Sequence, residues 1–86
     1  MRLSANLDLA AAAPLWSNLC AARHMAIEID ASGVERLGGL CLQILLAAQT
    51  QWRADGVAFA IVNPAASFAD VVKLMDAGRL LPEIAA

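Results

Sequence analysis

A thiol and an imidazole are the side chains in this sequence best suited to act as a nucleophile and a general base. The thiols are Cys20 and Cys41, and His24 is the only histidine among 86 residues. A cysteine enzyme needs its thiol held beside a base, and no spacing here indicates that arrangement. We therefore predict two buried thiols in a reducing compartment and a polar His24 at a helix end. A thiol enzyme using Cys41 stays the alternative, and no pattern of metal or cofactor ligands is present.

Three carboxylates could form an acid–base group, namely Asp8, Asp30 and Glu35. Sites in α/β proteins cluster where parallel strands end, and Asp30 directly follows a strand-like segment. The sequence favours a structural role, in which the Asp30 side chain accepts N–H bonds from the turn that follows.

Gly38 and Gly39 precede an apolar helical segment, where exposed N–H groups could bind an anion. They lack the Lys and Ser/Thr of a phosphate-binding loop and the third glycine of a dinucleotide fingerprint. We expect instead that the two glycines let the chain pass tightly into a packed helix.

Composition limits the class of protein. Apolar residues make up 60% of the sequence and charged residues 16%, with a net charge of −2. This predicts one folded domain over residues 1–86 and excludes nucleic acid as a partner, since no Lys/Arg cluster is present. Residues 37–52 are uncharged but shorter than the ~20 apolar residues of a membrane span, so a cytoplasmic protein without membrane insertion is predicted. The apolar surplus predicts a partner that covers part of the surface.

Strand-like and helix-like segments alternate along the chain. Strands are predicted over residues 2–7, 26–29 and 57–62, and helices over residues 12–23, 40–55 and from 67 onward, with a loop over 31–36. Such alternation implies crossover connections, so an α/β fold with a largely parallel sheet and helices packed against it is predicted.

Local signals set the predicted helix ends. Pro14 is tolerated in a first turn but not in a helix interior, so the first helix is expected to start near residues 12–13. Ser67 followed by Asp70 resembles a capping box at the start of the third helix, which Gly78 ends. An apolar tail that must pack on other residues follows, containing Leu80, Leu81, Pro82 and Ile84.

Helical spacing indicates which faces are apolar. The second helix has an apolar stripe that consists of Cys41, Leu45, Ala48 and Trp52 and is widened by Leu42 and Leu46. In the first helix, the residues that recur at helical spacing are Ala12, Leu15, Trp16, Leu19 and Cys20. Gly39, Leu40 and Gln43 lie near the start of the second helix. They either face a partner or are buried beneath the preceding loop, and the sequence leaves both open.

Residues 27–46 contain a strand that ends in Asp-Ala-Ser, a short loop, and a Gly-Gly-Leu turn that opens an apolar helix. This order resembles the signature region of the STAS (anti-sigma-factor antagonist) domain family. The Leu-Asp pair at residues 7–8, and the strand before the third helix, are similar to further parts of that family. The resemblance therefore covers nearly the whole chain and implies a STAS-like, mixed and largely parallel sheet.

The chain departs from the family at the position where relatives are phosphorylated. Aligned without gaps, the family's Asp falls on Gly38, its serine or threonine on Gly39, and its regulatory phosphoserine on Leu40. Leucine has no hydroxyl, so the resemblance implies a chain that cannot be phosphorylated there.

The resemblance implies a non-catalytic protein-interaction module in bacterial signal transduction, whose docking face is the loop over residues 30–39 and the start of the following helix. Its implied partner is an anti-sigma kinase, a chemotaxis kinase or a transporter subunit, and the signature is similar to the chemotaxis-associated subgroup. The residues implied in partner binding are Asp30, Ser32, Gly38, Gly39, Leu40 and Gln43. The alternative is an accessory subunit of an ABC transporter or a structural homodimer.

The first sheet edge is expected to be open. STAS domains usually begin with an extra strand, for which this sequence has little room. An open edge offers unpaired backbone groups, so a transporter accessory subunit or a homodimer would be built on this edge and on the apolar tail.

Overall fold

The structure is a computed structural model that describes residues 1–74 and 84–85. Strands and helices alternate in it as predicted, except that two strands follow one another between the first and second helices. The elements are β1 (Asn6–Leu7), α1 (Leu9–Ala21), β2 (Ile27–Asp30), β3 (Arg36–Leu37), α2 (Gly39–Asp55), β4 (Phe59–Val62), α3 (Ala66–Leu74) and β5 (Ile84–Ala85).

Every strand pairing is parallel, which confirms the predicted α/β class. β4 lies between β2 and β5, with Ile27 opposite Phe59 at one end of the β2–β4 ladder. β1 pairs with β3, and an isolated bridge joins Arg2 to Asp30 at the end of β2. Residues 1–7 therefore run first along β2 and then along β3.

The pairing of residues 1–7 is interrupted, so β1 is shorter than the strand predicted over residues 2–7. Arg2 pairs with Asp30, and Asn6 pairs with Arg36. Arg2 and Asn6 are four residues apart in the sequence, whereas their two partners are six residues apart. The two extra residues bulge out as a loop. Ala5 closes this loop on its β3 side, because its carbonyl accepts bonds from the N–H groups of residues 35 and 36 at 2.7 and 3.0 Å.

Two segments differ from the sequence-based expectation at this edge. Arg36, the last residue of the predicted loop, instead begins β3, because β1 supplies a partner that no local pattern reveals. Helix α1 begins at Leu9 and not near residues 12–13, because the Asp8 carboxylate caps it by accepting the Ala11 N–H at 3.2 Å. Pro14 therefore lies inside the helix.

Helix α2 matches its predicted range within one residue. It ends at Asp55 and is capped by Gly56, whose φ of 70° is a left-handed conformation that glycine adopts without steric cost. The predicted stripe is confirmed, since the buried residues of α2 include Cys41, Leu45, Ala48 and Trp52. Leu42 and Leu46 are buried as well.

The capping box predicted for the third helix is wrong. Helix α3 starts at Ala66, one residue before Ser67. The Ser67 hydroxyl instead donates to the Val34 carbonyl at 2.6 Å and so ties α3 to the loop before β3. Met75 and Gly78 lie outside the described residues, as do Leu80, Leu81 and Pro82 of the predicted tail; Ile84 falls in β5.

The buried hydrophobic side chains form one cluster, with α1 packed beside α2 and α3 in contact with β3. Trp52 links α2 to β4 and to the chain that precedes β2. It is 2% exposed, its indole N–H donates to the Met25 carbonyl at 2.8 Å, and its ring meets Phe59 edge-on at a centroid distance of 6.1 Å. The core thus fixes α2, whose start carries most of the candidate site.

Candidate functional site

The starts of α1 and α2 lie side by side, because Leu7 and Leu37 are register partners in β1 and β3. The Gly38 N–H donates to the Leu7 carbonyl at 2.8 Å. A Cβ at Gly38 would lie 2.8 Å from that same oxygen, which is too close for a side chain. This agrees with the predicted tight passage of the chain into the helix.

The first turn of α2 faces outward. Leu40 is 49% exposed, and Gly39 and Gln43 are exposed as well. Of the two possibilities that the sequence left open, burial beneath the preceding loop is therefore wrong. We call these three residues the α2-start surface. Gly38 is the N-cap residue, and as a glycine it adds no polar side chain to this surface.

Asp30 has the structural role that the sequence favours. Its Oδ1 accepts the backbone N–H of Ser32 at 2.9 Å. This bond, and a second one from the Ser32 side chain, hold the pKa of Asp30 below its ordinary value, with a smaller contribution from Arg2 against the opposing effect of desolvation. Asp30 is half-buried and Ser32 is exposed.

The loop between β2 and β3 is held from both sides. Ala31 and Val34 are buried at 0% and 2% exposure. Ala31 donates to the Val62 carbonyl at 3.0 Å and accepts from Ala65 N–H at 3.1 Å. With the Ser67 bond to Val34, these contacts give the chain that leads to the α2-start surface a defined position.

The structure does not bring all six predicted binding residues together. Asp30 lies opposite Arg2 and Leu37 lies opposite Leu7, five residues further along the chain, and the pairing between these two points is interrupted. At a rise of roughly 3.3 Å per extended residue, these points are at most about 16 Å apart. Gly38, Gly39, Leu40 and Gln43 form one group, and Asp30 with Ser32 forms another.

The thiol and imidazole are also separated. The Cys41 thiol is buried at the start of α2, 3.5 Å from the Asp8 carbonyl, and desolvation followed by the charge of Asp8 raises its pKa. His24 follows the other end of α1, with Nδ1 3.7 Å from Asp55. A 13-residue helix is about 20 Å long, so these groups cannot act as a pair. Cys20 is exposed, so the prediction that it is buried is wrong.

The three carboxylates of the suggested acid–base group do not converge. Asp8 and Glu35 line an open polar hollow together with Asn6 and Arg36. Asp30 is not part of it. Among residues 1–74 and 84–85, no group of three or more His, Cys, Asp or Glu side chains is placed to hold a metal ion.

Sequence reasoning missed a charged cluster at the opposite end of α1 and α2. Asp55 bonds Arg23 Nε at 3.3 Å and Gln51 Nε2 at 3.0 Å. Desolvation raises the pKa of Asp55, but the hydrogen bonds from Arg23 and Gln51 and the nearby charges outweigh it and leave the pKa lowered. The sequence indicates only a helix end at Asp55, because its partner Arg23 is 32 residues away.

The sequence also misplaces two side chains of α1. Helical spacing assigns Trp16 and Cys20 to its apolar face, yet Trp16 is 52% exposed and Cys20 is exposed. Both lie beside a groove between α1 and α2 that Ala47 and Gln51 line from the other side. The signal that could have found this surface is the absence of any charged residue over residues 9–22.

Residues 1–82 match a protein-family model described as Mlab, STAS domain. The chain belongs to the STAS domain family. The family resemblance of residues 27–46 is thereby confirmed, while comparison with curated proteins and with solved structures returned no match. In this STAS domain, Leu40 is the exposed apolar side chain of the α2-start surface.

The STAS domain contains no helix, within its described ranges, that combines the length and hydropathy needed to cross a bilayer.

We expect the stability of this STAS domain to fall in acid. Asp30 and Asp55 both have folded-state pKa values below the ordinary value of 3.8. Below that pH the unfolded chain binds more protons than the folded one, so the stabilisation present above 3.8 is lost as pH drops through the folded values. Urea unfolding at a series of pH values from neutral to strongly acidic measures the loss as a fall in the free energy of unfolding.

The matched variants for this experiment are Asp30→Asn, Asp55→Asn and the double substitution. Asparagine keeps a carbonyl that can accept a hydrogen bond but does not titrate. Each single variant should show a shallower loss of stability in acid, and the double variant the shallowest. A double variant as acid-sensitive as the parent protein would contradict the assignment.

Proposed function

We propose that this STAS domain is a non-catalytic protein-interaction module of bacterial signal transduction, which docks a cytoplasmic protein partner on the α2-start surface. One observation carries the proposal: Leu40, onto which the ungapped alignment places the family's phosphoserine, is an exposed, uncharged side chain at the start of α2. An exposed apolar side chain on a rigid helix is suited to insertion into a partner's pocket.

The neighbours of Leu40 favour protein contact. Gly39 has no side chain, so a partner's backbone can approach the first turn of α2 closely. Gln43 lies one turn further on and offers both a donor and an acceptor for the rim of an interface. Fully burying an exposed leucine contributes about 1.5–3 kcal/mol, and Leu40, which is 49% exposed, would gain roughly half of that in an interface.

The proposed partner is an anti-sigma kinase, a chemotaxis kinase or a transporter subunit. Leu40 has no hydroxyl to phosphorylate, so binding is constitutive or controlled through the partner. The alternative role, an accessory subunit of an ABC transporter, would use the open sheet edge and the apolar tail. Asp30 and Ser32 form the far part of the docking face, where the bond between them keeps the loop in shape.

Leu40→Asp should reduce partner binding by at least tenfold and leave the fold intact. A carboxylate would have to be desolvated in an apolar contact, which is unfavourable. The same carboxylate is favourable in the first turn of a free helix, worth roughly 0.3–1 kcal/mol, so the unbound domain should not be destabilised. Affinities for purified kinases of both classes and for ABC transporter subunits from the same genome, measured by calorimetry, test the prediction.

Leu74→Asp is the matched control, because Leu74 is 87% exposed and lies at the end of α3. It should bind the same partner as the parent protein. If Leu40→Asp retains full affinity for a partner that the parent protein binds, the α2-start surface is not the docking site. The class of the partner that binds separates a kinase-linked role from a transporter role.

A further inference from the structure

Four exposed side chains follow one another along α1 at spacings of four, three and four residues: Leu9, Ala13, Trp16 and Cys20. Leu9 is 78% exposed and Trp16 is 52% exposed. Ala13 and Cys20 are exposed as well. This spacing places all four on one side of the helix, as in the contact stripe of paired helices. We call these four residues the α1 seam.

The seam lies on a helix without charge. Residues 9–22 contain no charged side chain, whereas Asp8 precedes them and Arg23 follows them. A helix that faces solvent normally carries polar or charged side chains on its outer side. Exposed leucine and tryptophan in one stripe indicate a surface that another protein covers.

The two ends of the seam have opposite charge. Asp8 is exposed, and the Arg23 side chain is 46% exposed. Arg23 bonds Asp55 through Nε, but a guanidinium has five N–H donors and can bind a second carboxylate. A second α1 lying antiparallel would bring its Asp8 close to Arg23 of the first copy, and the same would hold at the other end.

The sizes of the seam residues are complementary in the same orientation. In an antiparallel pair centred between residues 14 and 15, Leu9 faces Cys20 of the second copy and Ala13 faces Trp16. Each contact then joins a large side chain to a small one, the arrangement in which side chains interdigitate. The groove beside Cys20, about 180 Å³ and bordered by Ala47 and Gln51, provides space for the incoming Leu9.

We propose that the α1 seam is a homodimer interface in which a second copy of this chain packs antiparallel along α1. This inference goes beyond the proposed function, because the seam lies on α1 whereas Leu40 and Gln43 lie on α2. It also places the dimer contact elsewhere than the open sheet edge and apolar tail that the sequence suggested.

The geometry can be tested with a disulfide to the existing Cys20. In the proposed dimer Leu9→Cys places its thiol opposite Cys20 of the second copy, within the Cα separation of up to about 7 Å that a disulfide spans. Mild oxidation should then convert most of the variant into a covalent dimer, with the link mapped by peptide mass spectrometry. The parent protein should stay uncrosslinked, since its two Cys20 residues would be roughly 16 Å apart.

The control is Leu9→Cys combined with Cys20→Ser, which should lose the crosslink. Equal crosslinking of this double variant would mean that the introduced thiols meet each other, which would overturn the antiparallel pairing. No crosslink in Leu9→Cys alone would overturn it as well.

Sedimentation equilibrium provides the second measurement. The parent protein should approach twice the mass of the 9.0 kDa chain as concentration rises. Trp16→Glu should sediment as a monomer with an unchanged circular dichroism spectrum, whereas Leu74→Glu should still dimerise. A parent protein that remains monomeric at all concentrations excludes the dimer. Trp16→Glu should retain the affinity for the partner that Leu40→Asp loses, so failure of the dimer and failure of the docking site are distinguishable.

Discussion

Replacing Trp52 with alanine is expected to lower the free energy of unfolding by about 3–5 kcal/mol, the usual range for removal of a large buried aromatic side chain. Trp52 is 2% exposed and contacts both the strand residue Phe59 and the chain that leads into β2. A domain of this size has a total stability of roughly 5–15 kcal/mol, so the loss is a large share of it. Urea unfolding monitored by circular dichroism measures the change.

Trp52→Phe separates packing from hydrogen bonding. Phenylalanine keeps an aromatic ring against Phe59 but cannot donate to the Met25 carbonyl, which Trp52 reaches at 2.8 Å. Loss of that bond costs about 1 kcal/mol, since Met25 is exposed and water can replace the donor. We therefore expect an intermediate stability. Leu74→Ala, an exposed control, should change it by less than about 0.5 kcal/mol. A loss below about 1 kcal/mol for Trp52→Ala would contradict its place in the core.

Gly38→Ala is expected to destabilise the domain by about 1–3 kcal/mol. The added Cβ would lie 2.8 Å from the Leu7 carbonyl oxygen, and the atoms it meets belong to the backbone, which cannot rotate away. β1 and β3 would have to separate, which also weakens the bond from Gly38 N–H to Leu7. Because α2 starts at this point, partner affinity at Leu40 should fall together with stability.

Gly33→Ala is the matched control for Gly38→Ala. Its Cβ would lie 3.4 Å from Nη2 of Arg2, the far end of a flexible side chain. We expect a change within about 0.5 kcal/mol and unaltered partner binding. Equal stability of Gly38→Ala and Gly33→Ala would show that the β1–β3 contact tolerates a side chain.

The sequence predicts elements whose signal is local and repeated. The apolar stripe of α2 is visible because Cys41, Leu45, Ala48 and Trp52 recur at helical spacing, four, three and four residues apart. β2 is visible from its β-branched residues. Both predictions need no knowledge of what lies opposite.

The errors occur where a distant partner decides the structure. β3 has only two residues, and its pairing partner is 30 positions away. Ser67 has the side chain of a helix cap but bonds Val34, 33 residues earlier. In α1 the run of alanines has no clear apolar side, so periodicity does not show that Trp16 and Cys20 lie outside the core.

The candidate site shows the same division. The tight passage of the chain at Gly38 is correctly predicted, whereas the sequence leaves open whether the first turn of α2 is exposed or buried. The separation of Asp30 from Leu40 could not be predicted, because it depends on how residues 1–7 bridge β2 and β3.

That bridging segment has a consequence for synthesis on the ribosome. The Leu3 N–H bonds the Asp30 carbonyl, 27 residues later in the chain. At a translation rate of about 5–20 residues per second, the amide waits roughly 1–5 s before its acceptor has been made. Helix α1, whose bonds are all local, can form in that interval. We therefore expect α1 to form in the nascent chain before any strand pairing does. Residues 1–7 should be among the last to become buried.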